Sequence, residues 1–227
     1  MRNGGLAWAV LALAFTAFAL PSQCQAGPVV QVDFSNPDLT PSHWTLVLHP
    51  DGTGHFHSEG SNTPGKTPRS YDSVSLTAPN QDRDIRLSAQ FTGRVFQMAR
   101  NHRWFNAECD SHMKVAFQGW KKLSYTGPEG QGSCEFNYSN DKEIQALGDS
   151  LVAVANTILE GARLELFLLH DRLGLDQEME YLTEAQDDGR VQQICTIRGI
   201  LERLAQDPGV MERVRKKARL LLEKSEE

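Results

Sequence analysis

Residues 43–58, HWTLVLHPDGTGHFHS, alternate apolar and polar on both sides of Pro50, Asp51 and Gly52. A period of two sends successive side chains to opposite faces of a strand, so the stretch reads as a β-hairpin. Two loop lengths compete. A two-residue loop sets Leu48 opposite His55 and mixes the faces. A three-residue loop, a type I turn led by Pro50 and closed by Gly52 in the left-handed region, keeps them apart. It places His49 opposite Thr53, Val47 opposite His55, Thr45 opposite His57 and His43 opposite Glu59. Trp44, Leu46, Leu48 and Phe56 then share one apolar face, and hydrophobic parity selects the bulged turn.

Outward from this hairpin, residues 29–139 show short alternating runs broken by Gly, Pro, Asn and Asp, as in an antiparallel sheet. Residues 73–77 (SVSLT) and 84–88 (DIRLS) read as short strands. Phe91, Val95 and Met98 recur at helical spacing behind Ser88, a potential N-cap, so one helix over residues 89–102 should pack on the sheet. Residues 113–125, MKVAFQGWKKLSY, read as a second hairpin about Gly119, with Val115, Phe117, Leu123 and Tyr125 on one face. Residues 133–139, SCEFNYS, add a strand that turns Cys134, Phe136 and Tyr138 inward.

From Asn140 the period becomes helical. Ile144, Leu147, Leu151, Val154 and Ile158 step by three and four, and residues 164–169, LELFLL, are apolar almost all round, so this helix should be the most buried element of this half. Gly174 should end that helix and Asp176 cap the next. Ile194, Ile197, Leu201 and Leu204 form a third seam. Asp207 with Pro208 should open a fourth helix with Met211, Val214, Ala218 and Leu221 inward. The expected fold is α+β: a small antiparallel sheet with one packed helix over residues 27–139, then about four α-helices over residues 140–227.

Residues 1–26 read as a secretory signal peptide: Arg2, an unbroken apolar run from Leu6 to Leu20, then Pro21 and a polar stretch ending at Ala26. The run is shorter than the roughly 20 residues a spanning helix needs, so no stable membrane anchor is expected after cleavage. An extracytoplasmic compartment, secreted or periplasmic, removes nucleotide-dependent and redox-cofactor enzymes from consideration and favours disulfides. Of the cysteines beyond residue 26, Cys109 and Cys134 lie in the sheet half and are the preferred pair, leaving Cys195 as a buried apolar residue. The net charge of −6 lies almost wholly from Asp141 onward and argues against nucleic acid as a partner.

The strings KVAFQG, KKLSY, CEFNYS and IQALGDSLVAVANTILEGARLE resemble a family of secreted bacterial proteins to which no activity is attached. The order hairpin, strand, helix ending in the aromatic pair Trp104 and Phe105, hairpin, strand, helix is similar to emfourin-type inhibitors of thermolysin-like metallopeptidases. That second resemblance implies a peptidase as partner and carries over no individual residue.

His43, His49, His55 and His57 fall on the polar face of the hairpin, neighbours there lying about 5 to 8 Å apart. Imidazoles so placed could share Zn²⁺ or Cu²⁺, or charge together as pH falls. Residues 60–67, GSNTPGKT, match the phosphate-loop pattern, but Pro68 and the alternation after it deny the helix that such a loop needs. The basic run 213–219, RVRKKAR, reads as a solvated helix face, and Asn137-Tyr138-Ser139 spells a glycosylation acceptor. Neither H-E-x-x-H nor G-x-S-x-G occurs. The sequence therefore predicts an exported, non-catalytic protein-interaction module without a cofactor. A metallopeptidase inhibitor or a protein holding metal on its histidine face are the alternatives.

Overall fold

The computed structural model describes residues 27–59 and 80–225. The signal segment, the phosphate-loop match and the strand expected at residues 73–77 lie outside them. Six antiparallel strands form one sheet: β1 (Val29–Ser35), β2 (His43–Leu48), β3 (Thr53–Glu59), β4 (Gln81–Arg86), β5 (Trp120–Gly127) and β6 (Gly130–Phe136), ordered β4-β3-β2-β1-β5-β6. The helices are α1 (Ala89–Asn101), α2 (Lys142–His170), α3 (Leu175–Asp187), α4 (Arg198–Gln206) and α5 (Glu212–Lys224). The α+β class is as the sequence predicts.

The β2–β3 hairpin has the expected register, pairing Val47 with His55, Thr45 with His57 and His43 with Glu59. Its turn is the bulged one. His49 N–H donates to the Thr53 carbonyl at 2.8 Å, Gly52 N–H donates to His49 at 3.0 Å, and Gly52 has φ +83°. A Cβ at Gly52 would also sit 2.7 Å from the Leu87 carbonyl oxygen, so both backbone angle and space call for glycine.

One face of the sheet is dry. Val30, Val32 and Phe34 of β1, Trp44, Leu46 and Leu48 of β2, Phe56, Leu123, Tyr125 and Phe136 are buried against α1 and the first half of α2. Ser88 caps α1 as predicted, its Oγ accepting from Phe91 N–H at 3.2 Å. A second apolar cluster joins Leu164, Phe167 and Leu168 of α2 to α3, α4, α5 and the 3-10 turn Ile194–Ile197. The long α2 thus serves both cores.

Four expectations are corrected. No hairpin turns at Gly119: residues 106–119 contain no strand, β5 begins at Trp120, and its partner is β6. Val115 and Phe117 are therefore exposed, as is Tyr138, which lies beyond the end of β6. Helix α2 stops at His170, and Gly174 rather than Asp176 stands at the N-cap of α3. Asp176 spends its carboxylate on Arg213 at 2.9 Å. Asp207 closes α4 instead of opening α5, because its Oδ1 accepts from Gly209 N–H at 2.8 Å and turns the chain before Met211. Helix α2 is, as expected, the most buried α-helix of the helical half, although Leu169 near its end is 68% exposed.

Candidate functional site

After α1 the backbone turns sharply left. Arg103, Trp104 and Phe105 have φ of 52°, 62° and 63°, a conformation costing roughly 1–2 kcal/mol per L-residue that surrounding packing must offset. Phe105 is fully buried, and Trp104 stacks on Tyr125 with ring centroids 4.6 Å apart. This turn delivers the chain to Cys109, which is disulfide-bonded to Cys134 of β6 with Cα atoms 5.6 Å apart. The pairing is the one expected from sequence, and a disulfide suits an oxidising environment.

Residues 106–119 then run beyond the sheet without regular structure, yet they are tied down at several points. Ser111 N–H donates to the Tyr138 carbonyl at 2.8 Å, and Asn137 N–H donates to Asp110 Oδ1 at 3.2 Å. The Asn137 side chain does double duty, accepting from Gln118 N–H at 2.8 Å and donating to the Ala116 carbonyl at 3.3 Å. Asn137 is in turn held from below: Lys121 Nζ, on a side chain only 3% exposed, donates to its carbonyl at 3.2 Å and lies 3.6 Å from Asp149. Burial lowers the Lys121 pKa, against the pull of Asp149. Burial also opposes the charge of Asp110, but the amides of His112 and Asn137 outweigh it and hold that carboxyl below its usual range.

What this loop presents is apolar. Residues 112–118 are all exposed, among them Met113 (56%), Val115 (39%) and Phe117 (47%). Trp120, 41% exposed at the start of β5, meets Phe117 edge-on with centroids 6.3 Å apart. Beside this ridge lies an open cleft of about 630 Å³ lined by Glu108, Asp110, His112, Trp120, Lys122 and Glu135, with the disulfide in its wall. The large apolar side chains of this ridge thus stand exposed together, outside both apolar cores.

The histidines occupy the polar face of the same sheet at its other side. His55 approaches Asp84 at 2.9 Å through Nδ1 and Asp82 at 3.1 Å through Nε2. His57 lies 3.2 Å from Asp82 and 3.6 Å from Glu59. The hydrogen bond to Asp84, reinforced by the charges of Asp82 and Asp84, raises the His55 pKa against some desolvation. His43 sits on β2 across from Glu59, and His49 in the turn. Among the described residues no three His, Cys, Asp or Glu side chains are grouped so as to hold a metal ion. Sequence parity located the imidazoles correctly but could not show that β4 supplies carboxylates to them.

A pair of buried carboxyls carried no local sequence signal at all. Glu160 of α2 and Glu178 of α3 come together in the helical half, with side chains 13% and 6% exposed, and Arg163 donates to Glu178 at 2.7 Å. Burial, then the hydrogen bond to Glu178 and its charge, push the Glu160 carboxyl up to about 8, with Arg163 and Arg190 pulling the other way. Glu160 and Arg163 also edge a small cleft of about 180 Å³ beside Phe34, Trp44 and Pro41. The basic run on α5 is largely neutralised by neighbours: Arg213 and Lys217 reach Asp176, and Arg219 reaches Glu212. Cys195 is half-buried, its thiol pushed up chiefly by burial.

No family model matches this chain, and no curated protein matches its sequence.

Proposed function

We propose that this chain is an exported, non-catalytic interaction protein that engages a protein partner through residues 106–120. The carrying observation is the ridge of Met113, Val115, Phe117 and Trp120, exposed on a loop that a disulfide and side-chain hydrogen bonds hold in one shape. A preformed apolar surface binds without first losing the entropy of ordering itself, and its aromatic and methionine side chains are those enriched at interface centres. Export rests on residues 1–26 and agrees with the disulfide. Among the described residues, no helix is long and apolar enough to cross a membrane.

The test is affinity capture from the native extracytoplasmic compartment with the parent chain and with a Met113→Ser, Phe117→Ser variant. A partner recovered by the parent and lost by the variant, at equal urea midpoints, supports the reading; equal recovery by both sinks it. A rigid exposed loop is also what an inhibitor presents to a peptidase. The same two proteins assayed against secreted metallopeptidases, including thermolysin-like ones, decide whether the partner is such an enzyme.

A further inference from the structure

The cleft beside the apolar ridge is charged asymmetrically. Its lining holds three carboxylates, Glu108, Asp110 and Glu135, against one permanent cation, Lys122. Asp110 is turned inward, accepting the amides of His112 and Asn137 at 2.9 and 3.2 Å. Glu108 and Glu135 are exposed; the first lies 3.4 Å from His112, and the second faces Lys122 across the β5–β6 ladder. The half-exposed indole of Trp120 contributes an aromatic surface to the same cleft.

A cleft that combines an aromatic side chain with exposed carboxylates is complementary to a planar cation. A guanidinium stacks on the indole and offers its fork of N–H donors to a carboxylate. Directly next to the cleft, Phe117 and Met113 offer apolar contact, so the complementary segment must carry apolar side chains beside its cation.

We infer that the partner docks through a basic-apolar peptide segment, an arginine entering the cleft of Glu108, Trp120 and Glu135 while neighbouring apolar side chains cover Phe117 and Met113. This rests on the reading of residues 106–120 as the interaction surface and adds the chemistry of what that surface takes.

The experiment uses the full exported chain and fluorescein-labelled synthetic peptides in which leucine alternates with arginine, or with glutamate as the matched control. Fluorescence anisotropy should show binding of the arginine peptide, weakening with added salt because the contacts lie near the surface. It should show none of the glutamate peptide. Glu108→Gln with Glu135→Gln should weaken the arginine peptide roughly tenfold, equivalent to about 1.4 kcal/mol. Glu184→Gln with Glu223→Gln, two exposed acids far along the helical half, should leave it unchanged. Equal affinity for both peptides, or equal weakening by both double variants, overturns the inference. The capture experiment separates the two claims. A native partner lost with Met113→Ser, Phe117→Ser but kept with Glu108→Gln, Glu135→Gln leaves the surface standing and removes its preference for a basic segment. A partner kept by both removes the surface itself.

Discussion

Two stretches of this chain alternate apolar and polar residues with equal regularity, and the fold uses them oppositely. In residues 43–58 the apolar parity, Trp44, Leu46, Leu48 and Phe56, lies against α1 and α2 and is almost fully buried. In residues 113–120 the same parity, Met113, Val115, Phe117, stays outside. Alternation specifies that one face is apolar, but not that a core awaits it. What differs is the neighbour. The first stretch has β1 on one side and β4 on the other, whereas the second is deflected at Gly119, φ +110°, where a Cβ would meet the Phe34 ring at 2.5 Å. The chain enters β5 from that bend, and residues 106–118 are left outside the sheet.

The comparison breaks most directly on a pair of truncations. Phe56→Ala should cost about 3–5 kcal/mol, because the ring is wholly buried and leaves a cavity. Phe117→Ala should cost under about 0.5 kcal/mol, as exposed substitutions do. Urea melts of the two variants decide it. A Phe117 variant as damaged as the Phe56 variant would mean that residues 113–120 are core after all.

The disulfide gives the next largest effect. Cys109 and Cys134 are 25 residues apart, and closing such a loop stabilises by roughly 3.5 kcal/mol in the chain-entropy model. Cys109→Ser with Cys134→Ser should lower stability by about 3 kcal/mol and release the two stretches unequally. Hydrogen exchange should find the β2–β3 ladder still protected while the amides of Ser111 and Gln118, bonded to Tyr138 and Asn137, exchange near the unprotected rate. Equal protection of both regions in the variant would show that the hydrogen bonds through Asn137 hold the loop unaided.

That contrast explains what could be read from the sequence. The β2–β3 register was legible down to the residue pairs because turn chemistry and parity agreed, and so were the Ser88 cap and the Ile144 to Ile158 seam. The run VVQVDFS of β1 has the same alternation, and its pairing with both β2 and β5 is what makes it central. The exposed loop was misread because its anchors are not periodic: an Asn137 side chain reaching two backbone groups and a lysine under it leave no spacing to detect. Glu160 and Glu178 were equally invisible, since their meeting depends on how α3 folds back on α2. At helix ends, Asp176 and Asp207 looked like caps but bond elsewhere, and only the structure shows which donor each carboxylate finds.

Ionisation sharpens the comparison between buried and exposed regions. Glu160 binds its proton more tightly folded, with a value near 8, than unfolded, near 4.5. Its contribution is therefore full below about pH 4.5 and is lost as pH rises through about 8. Stability of the parent should fall across that window by on the order of 2 kcal/mol. Glu160→Gln, neutral throughout and still able to donate to Glu178, should flatten the slope and be the more stable protein at pH 9. Parallel stability curves for the two would show that Glu160 and Glu178 share no proton.

The smallest expected effect belongs to the histidine face. His55 lies on the open side of the sheet, its side chain 42% exposed, between Asp82 and Asp84. Its pKa is raised, so its contribution is present below about 6.5 and fades as pH rises through the higher folded value. Solvent screening keeps that contribution to a few tenths of a kcal/mol. Changing His49, His55 and His57 together to Gln should therefore shift the urea midpoint by less than about 0.5 kcal/mol at pH 7, with the parent gaining slightly on the variant as pH drops towards 6. Such a gain locates the imidazole–carboxylate pairs in solution; no change in the gap with pH would mean that water has replaced them. Zn²⁺ titration of the same two proteins completes the test, with equal uptake expected because, although His55 and His57 both approach Asp82, no three His, Cys, Asp or Glu side chains among the described residues are grouped so as to hold an ion. Zinc bound by the parent and lost from the variant would instead place ligands among His49, His55 and His57, and the same titration of a His43→Gln variant would decide whether His43 joins them.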